Sequence, residues 1–206
     1  AQGFVVGHCS GWQDGLTCAS PCSTQLGLEY SVQMARRMQE ILEPPDLLRF
    51  HQLSAASRLL VSQGIGGDFQ VVLTQENRLL AIQGDVVGKG MNAGLLAAYL
   101  VGLVEGTLEE CIRPARLLEK LNRLLAQRTS RRPAFATALV IEARLDEPDW
   151  ILARAGHELP LLVRADGSQA ELKDPDGLPL GLEAGETYRE QRIPRAARDP
   201  LFAYTD

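Results

Sequence analysis

The segment IGGDFQVVLTQENRLLAIQGDVVGKG, residues 65–90, contains two apolar runs on either side of the polar stretch at 75–78. Two runs of this length around a polar turn predict an antiparallel β-hairpin. Each run also carries a Gly-Asp pair at its outer end. If the chain turns in the middle of the polar stretch, Asp68 on the first strand lies directly opposite Asp85 on the second.

This opposed pair of carboxylates predicts a metal site. Directly opposed residues of an antiparallel pair have Cβ atoms about 4.5–5.5 Å apart, so Asp68 and Asp85 repel each other unless a cation or a proton lies between them. Hard divalent cations such as Mg²⁺ and Mn²⁺ prefer oxygen ligands of this kind. The alternative is purely structural, because Gly-Asp pairs are common in turns and a one-residue bulge would undo the register.

The residues after Asp85 predict an anion site. Gly88, Lys89 and Gly90 form a tight loop that leads into a helix, and helix N-termini bind phosphate-sized anions. Lys89 is either a phosphate-binding residue or a solvated lysine of the loop. Carboxylates next to such a loop indicate metal-assisted phosphoryl chemistry.

Two other phosphate-binding motifs fit this segment less well. A Walker A loop is excluded because Gln83 and Gly90 stand where a glycine and a Ser or Thr are required. Residues 88–93 match the dinucleotide fingerprint G-x-G-x-x-A, but that fold needs a parallel strand after the helix. A second helical pattern follows here instead, so dinucleotide binding is only a distant alternative.

The order of the remaining patterns is typical of an α+β protein rather than a doubly wound parallel sheet. An apolar stripe predicts a helix over residues 31–42 that ends at Pro44-Pro45, with the members Val32, Met34, Ala35, Met38, Ile41 and Leu42. The other patterns predict a strand within 50–61, helices over 91–105 and from Pro114, strands at 135–146 and 150–156, a hairpin turned at Asp166-Gly167, and last strands in TYREQRI and PLFAYTD.

Composition excludes several classes of protein. A chain of 206 residues with 45% hydrophobic residues can bury a core, which argues against disorder. The net charge of −5 argues against a nucleic-acid partner, since phosphate-backbone binders present a basic face. No apolar run is long enough for membrane insertion, and no export signal is visible, which predicts a cytoplasmic protein.

The first segment, residues 1–29, is predicted to be a linker or the end of a preceding domain. It is rich in Gly, Ser, Cys and Thr without a sustained period, and the start at Ala1 rather than Met suggests a fragment. His8, Cys9, Cys18 and Cys22 lie within it. Their spacing lacks a C-x-x-C pair, so free thiols are favoured over a zinc site.

Two polar residues near the last strands are interpreted as structural. His157, in the stretch AGHE, is predicted to be a buried histidine near the sheet edge that bonds to backbone, in preference to a general acid. Arg154 is expected to face solvent on its strand.

Six stretches in order resemble the motifs of the SpoIIE/RsbU-type phosphatases, the bacterial branch of the metal-dependent, protein phosphatase 2C-like (PPM) serine/threonine phosphatases. The stretches are GGDF, GDVVGKGMNAGLLAA, FATALVIEARLD, ARAGHELPLLV, GLPLGL and LFAYTD. The resemblance covers about residues 31–206.

The resemblance implies an α-β-β-α sandwich of two antiparallel sheets flanked by helices. It also implies two Mn²⁺ or Mg²⁺ ions, which activate a water that attacks phosphoserine or phosphothreonine. Carried over residue by residue, Asp85 bridges both ions with the Val86 carbonyl as a further ligand, Asp68 serves one ion, and Asp206 serves the other. Asp68 and Asp85 are thus the candidate catalytic residues, and the loop Gly88–Gly90 shapes the substrate site.

This sequence also departs from the family pattern at its end. Members usually continue YTD with Gly, a variable helical region and a final strand bearing another aspartate ligand, whereas these residues stop at Asp206. The expectation is a phosphatase domain at 30–206 that lacks its last motif, with weak metal binding and little turnover for this polypeptide. The expected substrate is a phosphorylated anti-sigma-factor antagonist. Whether the protein forms a homodimer is left open. The competing function is a phosphatase-like binding or regulatory module.

Overall fold

The computed structural model describes residues 21–59, 64–107, 110, 113–173, 177–196 and 199–205, with side chains from residue 29 onward. The helices are α1 Pro21–Leu42, α2 Met91–Gly106 and α3 Pro114–Thr129. The strands are β1 Leu47–Phe50, β2 Leu53–Ala56, β3 Asp68–Gln75, β4 Arg78–Val86, β5 Ala136–Arg144, β6 Asp149–Ala155, β7 Leu161–Val163, β8 Gln169–Ala170, β9 Glu190–Pro194 and β10 Leu201–Phe202.

The central element is a five-stranded antiparallel sheet with strand order β3-β4-β5-β6-β9. Its first hairpin has the predicted register, with Gln75 opposite Arg78 and Asp68 opposite Asp85. Glu76 in the turn has a positive φ of 49°, which a two-residue hairpin loop accommodates. The predicted pairing of the two aspartates is therefore confirmed at the level of the backbone.

The two faces of this sheet bury different cores. Alternate residues of β3, β4 and β5, such as Val71, Ile82 and Val140, pack against α2 and α3 in the larger hydrophobic cluster. The opposite face packs against a three-stranded sheet of order β10-β7-β8, through residues such as Leu152 and Leu162. The hairpin β1-β2 covers a further part of that face. The layers are therefore the helices α2 and α3, the five-stranded sheet and the three-stranded sheet, which confirms the predicted α+β sandwich.

Most predicted elements are present, and two need correction. Helix α1 begins at Pro21 instead of residue 31, so the predicted domain boundary at 29/30 falls inside a helix. The single strand expected within 50–61 is the second half of a hairpin, β1-β2, that turns at His51, where φ is 53°. Short strands of four residues carry too few alternating positions to be resolved from sequence.

The stripe predicted for α1 is only half correct. Val32, Ala35 and Leu42 are half-buried, whereas Met34, Met38 and Ile41 are 42%, 58% and 72% exposed. The inner face of α1 is thus formed by residues that are three or four positions apart in the sequence. Within the described residues, no helix is both long enough and apolar enough to cross a membrane.

An ion-pair network occupies the end of the sheet opposite the aspartate pair. Glu142 on β5 is fully buried and pairs with Arg113 and Arg144. Arg113 and Arg192 also pair with Glu147 in the turn after β5. Because these charges neutralise one another, we assign them to the structure of the sheet end.

Candidate metal centre

Asp68, Asp85 and Thr137 form one row across three adjacent strands. Asp68 pairs with Asp85, and Asp85 pairs with Thr137. Residues directly opposed in a sheet project to the same face, here the face turned away from α2 and α3. The row lies at the end of β4, and both carboxylates are half-buried. The two predicted ligands of the hairpin are brought together.

Gly67 lies close to two of the predicted ligand oxygens. A Cβ at this position would lie 2.5 Å from the Val86 carbonyl oxygen and 2.8 Å from Oδ1 of Asp85. The Gly67 carbonyl also accepts a hydrogen bond from the Val86 amide at 3.1 Å, which holds the two segments together. A carboxylate oxygen and a carbonyl oxygen this close to one residue fit Mg²⁺ or Mn²⁺ by their chemistry.

The loop between β4 and α2 has backbone conformations that favour glycine. Gly88 has φ of 104° and Gly90 has φ of 72°, and no atom lies within 4 Å of a Cβ built on either. Gly90 is the N-cap residue of α2 and accepts a hydrogen bond from the Gly94 amide. Lys89 between them is exposed. The predicted anion loop is therefore open to solvent, and it begins two residues after Val86, whose carbonyl is a predicted ligand.

The remaining predicted ligand, Asp206, and most residues of the Cys cluster, for which a zinc site was the less favoured alternative, lie outside the described residues. Asp206 follows the last described residue, Thr205, and His8, Cys9 and Cys18 precede the first. Cys22 is described only in its backbone, as part of α1. Within the described ranges, no group of three or more His, Cys, Asp or Glu side chains lies close enough to hold a metal ion.

His157 is buried, as expected, and contacts the side chain of Thr137 in addition to the backbone of Tyr204. It is 3% exposed, and its Nδ1 atom lies 2.8 Å from Oγ1 of Thr137. Burial lowers the pKa of the imidazole, and the nearby charges of Glu158 and Asp68 oppose that effect. Arg154, expected in solvent, is half-buried and donates from Nη1 to the His157 carbonyl oxygen.

Sequence patterns alone missed Gln39 on α1. Its Nε2 atom donates to the Gly66 carbonyl at 3.1 Å and to the Asp68 carbonyl at 3.4 Å. Its Oε1 atom accepts from the Gly66 amide at 3.3 Å. The signal was available, because Gln39 lies four residues after Ala35 and three before Leu42, on the inner face of the helix. A polar residue there ties α1 to the loop that carries Asp68.

Replacing Gln39 by Ala is expected to lower the free energy of unfolding by about 1–3 kcal/mol, because the Gly66 amide loses its partner in a half-buried place. Urea unfolding of the metal-free protein measures the change. Gln33→Ala is the matched control on the same helix, since Gln33 is exposed, and it should change stability by less than about 0.5 kcal/mol. Equal effects of the two substitutions would contradict the assigned contact.

Similarity to known proteins identifies the family and the fold of the chain. A family model described as Stage II sporulation protein E (SpoIIE) matches residues 75–206. The chain is 20% identical over 186 residues to the phosphoserine phosphatase RsbU of Bacillus subtilis (strain 168), and the alignment covers 90% of this chain and 54% of that protein. The chain thus spans about half the length of this curated relative.

Two solved structures share the fold. The SiaA-PP2C domain of Pseudomonas aeruginosa matches with a TM-score of 0.65 and 19% identity, over 85% of this chain and 70% of that one. RsbX in complex with magnesium matches with a TM-score of 0.52 and 18% identity, over 66% and 63% of the two chains. At these identities the likeness concerns the fold alone. The family match over residues 75–206, more than half of the chain, shows that the chain belongs to the SpoIIE family and has the architecture of protein phosphatase 2C-like domains.

Proposed function

We propose that this chain is the catalytic domain of a metal-dependent phosphatase that hydrolyses phosphoserine or phosphothreonine on a protein. The observation that carries the proposal is the pairing of Asp68 with Asp85 across one hairpin, with Oδ1 of Asp85 and the Val86 carbonyl oxygen both close to Gly67. Membership of the SpoIIE family and the description of RsbU as a phosphoserine phosphatase support it.

The proposed cofactors are two Mn²⁺ or Mg²⁺ ions. Asp68, Asp85 and the Val86 carbonyl would hold them together with Asp206, and the likeness in fold to RsbX, which was solved with magnesium, supports this choice. When bound, such ions supply Lewis-acid activation of the attacking water and neutralise charge on the phosphoryl oxygens.

The residues of the chain have separate tasks in this proposal. Asp68 and Asp85 supply negative charge and fixed geometry at the end of the hairpin. The exposed Lys89, on a loop whose glycines allow close approach, orients the phosphate group of the substrate by its positive charge. The α2 N-terminus begins directly after this loop and favours the same anion.

The proposed substrate is a phosphorylated regulatory protein of the anti-sigma-factor antagonist type. Support comes from the relatives, since RsbU is named a phosphoserine phosphatase and the SpoIIE family is named for a sporulation protein. A phosphate on Ser or Thr of a folded protein is reached by an open loop more easily than by a closed cavity. Lys89 and Gly88, both exposed, meet that requirement.

The test is phosphate release from a phosphoserine peptide by the native gene product that contains these residues, with Mn²⁺ and with EDTA. We expect turnover with Mn²⁺ and none with EDTA, and weaker turnover of the matched phosphotyrosine peptide. Binding of the phosphoserine peptide without release of phosphate under either condition would support the competing function, a phosphatase-like binding module, and would overturn the proposed activity.

A further inference from the structure

We propose that Thr137 and His157 form a positioning pair that holds the main chain at Asp85 and thereby sets the affinity of the site for its divalent cation. This inference rests on the metal site of the proposed function and extends it to two residues outside the ligand set. Neither residue is a catalytic residue in this proposal, because neither is placed against substrate or metal.

Thr137 lies between Asp85 and His157. It is the strand partner of Asp85 in the sheet, and its Oγ1 atom accepts a hydrogen bond from the Asp85 amide at 3.3 Å. The same oxygen is 2.8 Å from Nδ1 of His157. A threonine hydroxyl has one donor and two acceptor sites, so it can accept from the Asp85 amide while it shares a proton with the imidazole. The Thr137 hydroxyl thus connects the imidazole of His157 to the main chain of Asp85, a proposed ligand.

The main chain that carries the imidazole is held in place by several contacts. An isolated parallel bridge joins Ala138 to Gly156 and brings His157 beside Thr137. Gly156 has φ of 64°, and a Cβ there would lie 2.5 Å from the ring of Pro179, so only glycine allows this approach. Arg154 donates to the carbonyl of His157 from the other side. A buried ring fixed in this way is a rigid support for a hydroxyl.

The hydrogen bond from the Asp85 amide to Thr137 fixes the main chain that carries the proposed ligands. The amide of Asp85 is next to the residue whose carbonyl is a proposed ligand, Val86, so a shift of the main chain at Asp85 displaces two ligands together. Groups that orient metal ligands through hydrogen bonds change metal affinity by about 10–100-fold when they are removed. The same magnitude is expected for the loss of the Thr137 hydroxyl or of the Nδ1 atom that pairs with it.

The test is a calorimetric titration of Mn²⁺ into the metal-free native gene product. It uses two matched pairs of variants. Thr137→Val removes the hydroxyl at constant shape, whereas Thr137→Ser keeps it. His157→Gln places its amide near the Nε2 position, whereas His157→Asn places its amide near Nδ1. We expect the Mn²⁺ dissociation constant to rise by at least about 10-fold in Thr137→Val and His157→Gln, and to stay close to wild type in Thr137→Ser and His157→Asn.

Thermal unfolding without metal separates this role from a structural one. If Thr137→Val lowers the melting temperature but leaves the Mn²⁺ dissociation constant unchanged, the positioning role is overturned. If Thr137→Val does not fold, the Mn²⁺ dissociation constants of the two His157 variants decide between the two roles. Asp85→Asn in the same titration tests the site itself. Binding of Mn²⁺ by Asp85→Asn as in wild type would overturn the metal site, whereas loss of binding there with normal binding in Thr137→Val would overturn the inference alone.

Discussion

Replacing Asp85 by Asn is expected to reduce Mn²⁺-dependent phosphate release by at least about 100-fold, since loss of a group that only orients a metal ligand already costs about 10–100-fold. Asp85 lies directly opposite Asp68, and its Oδ1 atom and the Val86 carbonyl oxygen both lie close to Gly67. Removal of its charge leaves the proposed site with one carboxylate of the hairpin pair. The measurement is the initial rate of phosphate release from a phosphoserine peptide at saturating Mn²⁺.

The same substitution should leave the fold intact. Without metal, the Asp85→Asn variant is expected to unfold at the same or a slightly higher temperature than the wild type, because two opposed carboxylates no longer repel each other. Asp146→Asn is the matched control, since Asp146 is an exposed residue of the turn after β5, and its activity should equal that of the wild type. Full activity of Asp85→Asn would remove Asp85 from the ligand set.

Replacing Gly84 by Ala should lower the free energy of unfolding by about 3 kcal/mol, the upper part of the range for overpacked interiors. A Cβ at this position would lie 2.3 Å from the backbone oxygen of Thr137 and 2.5 Å from the ring of Phe69. Because the first of these is a main-chain atom of the neighbouring strand, no side-chain rotation relieves the clash. For a chain of this size the melting temperature should fall by about 6–12 °C, as measured by circular dichroism.

Gly102→Ala is the control for this experiment. Gly102 is exposed within α2, and no atom lies within 4 Å of a Cβ built there. Alanine in a helix interior is more favourable than glycine by about 0.5–1 kcal/mol, so this variant should be slightly more stable than wild type. Equal losses of stability in both variants would contradict the tight approach of β4 and β5 at Gly84.

Local patterns predicted the elements that build the proposed site. The polar stretch between two apolar runs predicted the hairpin β3-β4 and its register, and Asp166-Gly167 predicted the turn between β7 and β8, where Gly167 has φ of 83°. These predictions succeeded because each depends on residues adjacent in the chain. The start of α1 and the hairpin β1-β2 were wrong or incomplete, because weak or short patterns leave element bounds open.

The amino-acid sequence by itself determined that two aspartates meet across one hairpin, since a two-residue turn and the alternation of strand side chains leave a single register that buries the apolar face. Only the tertiary structure decided what surrounds that pair. Gln39 reaches Gly66 from 27 residues away, and Thr137 reaches Asp85 from 52. Contacts over such separations depend on the order of strands in the sheet and on how helices pack against it, which no local pattern of residues specifies.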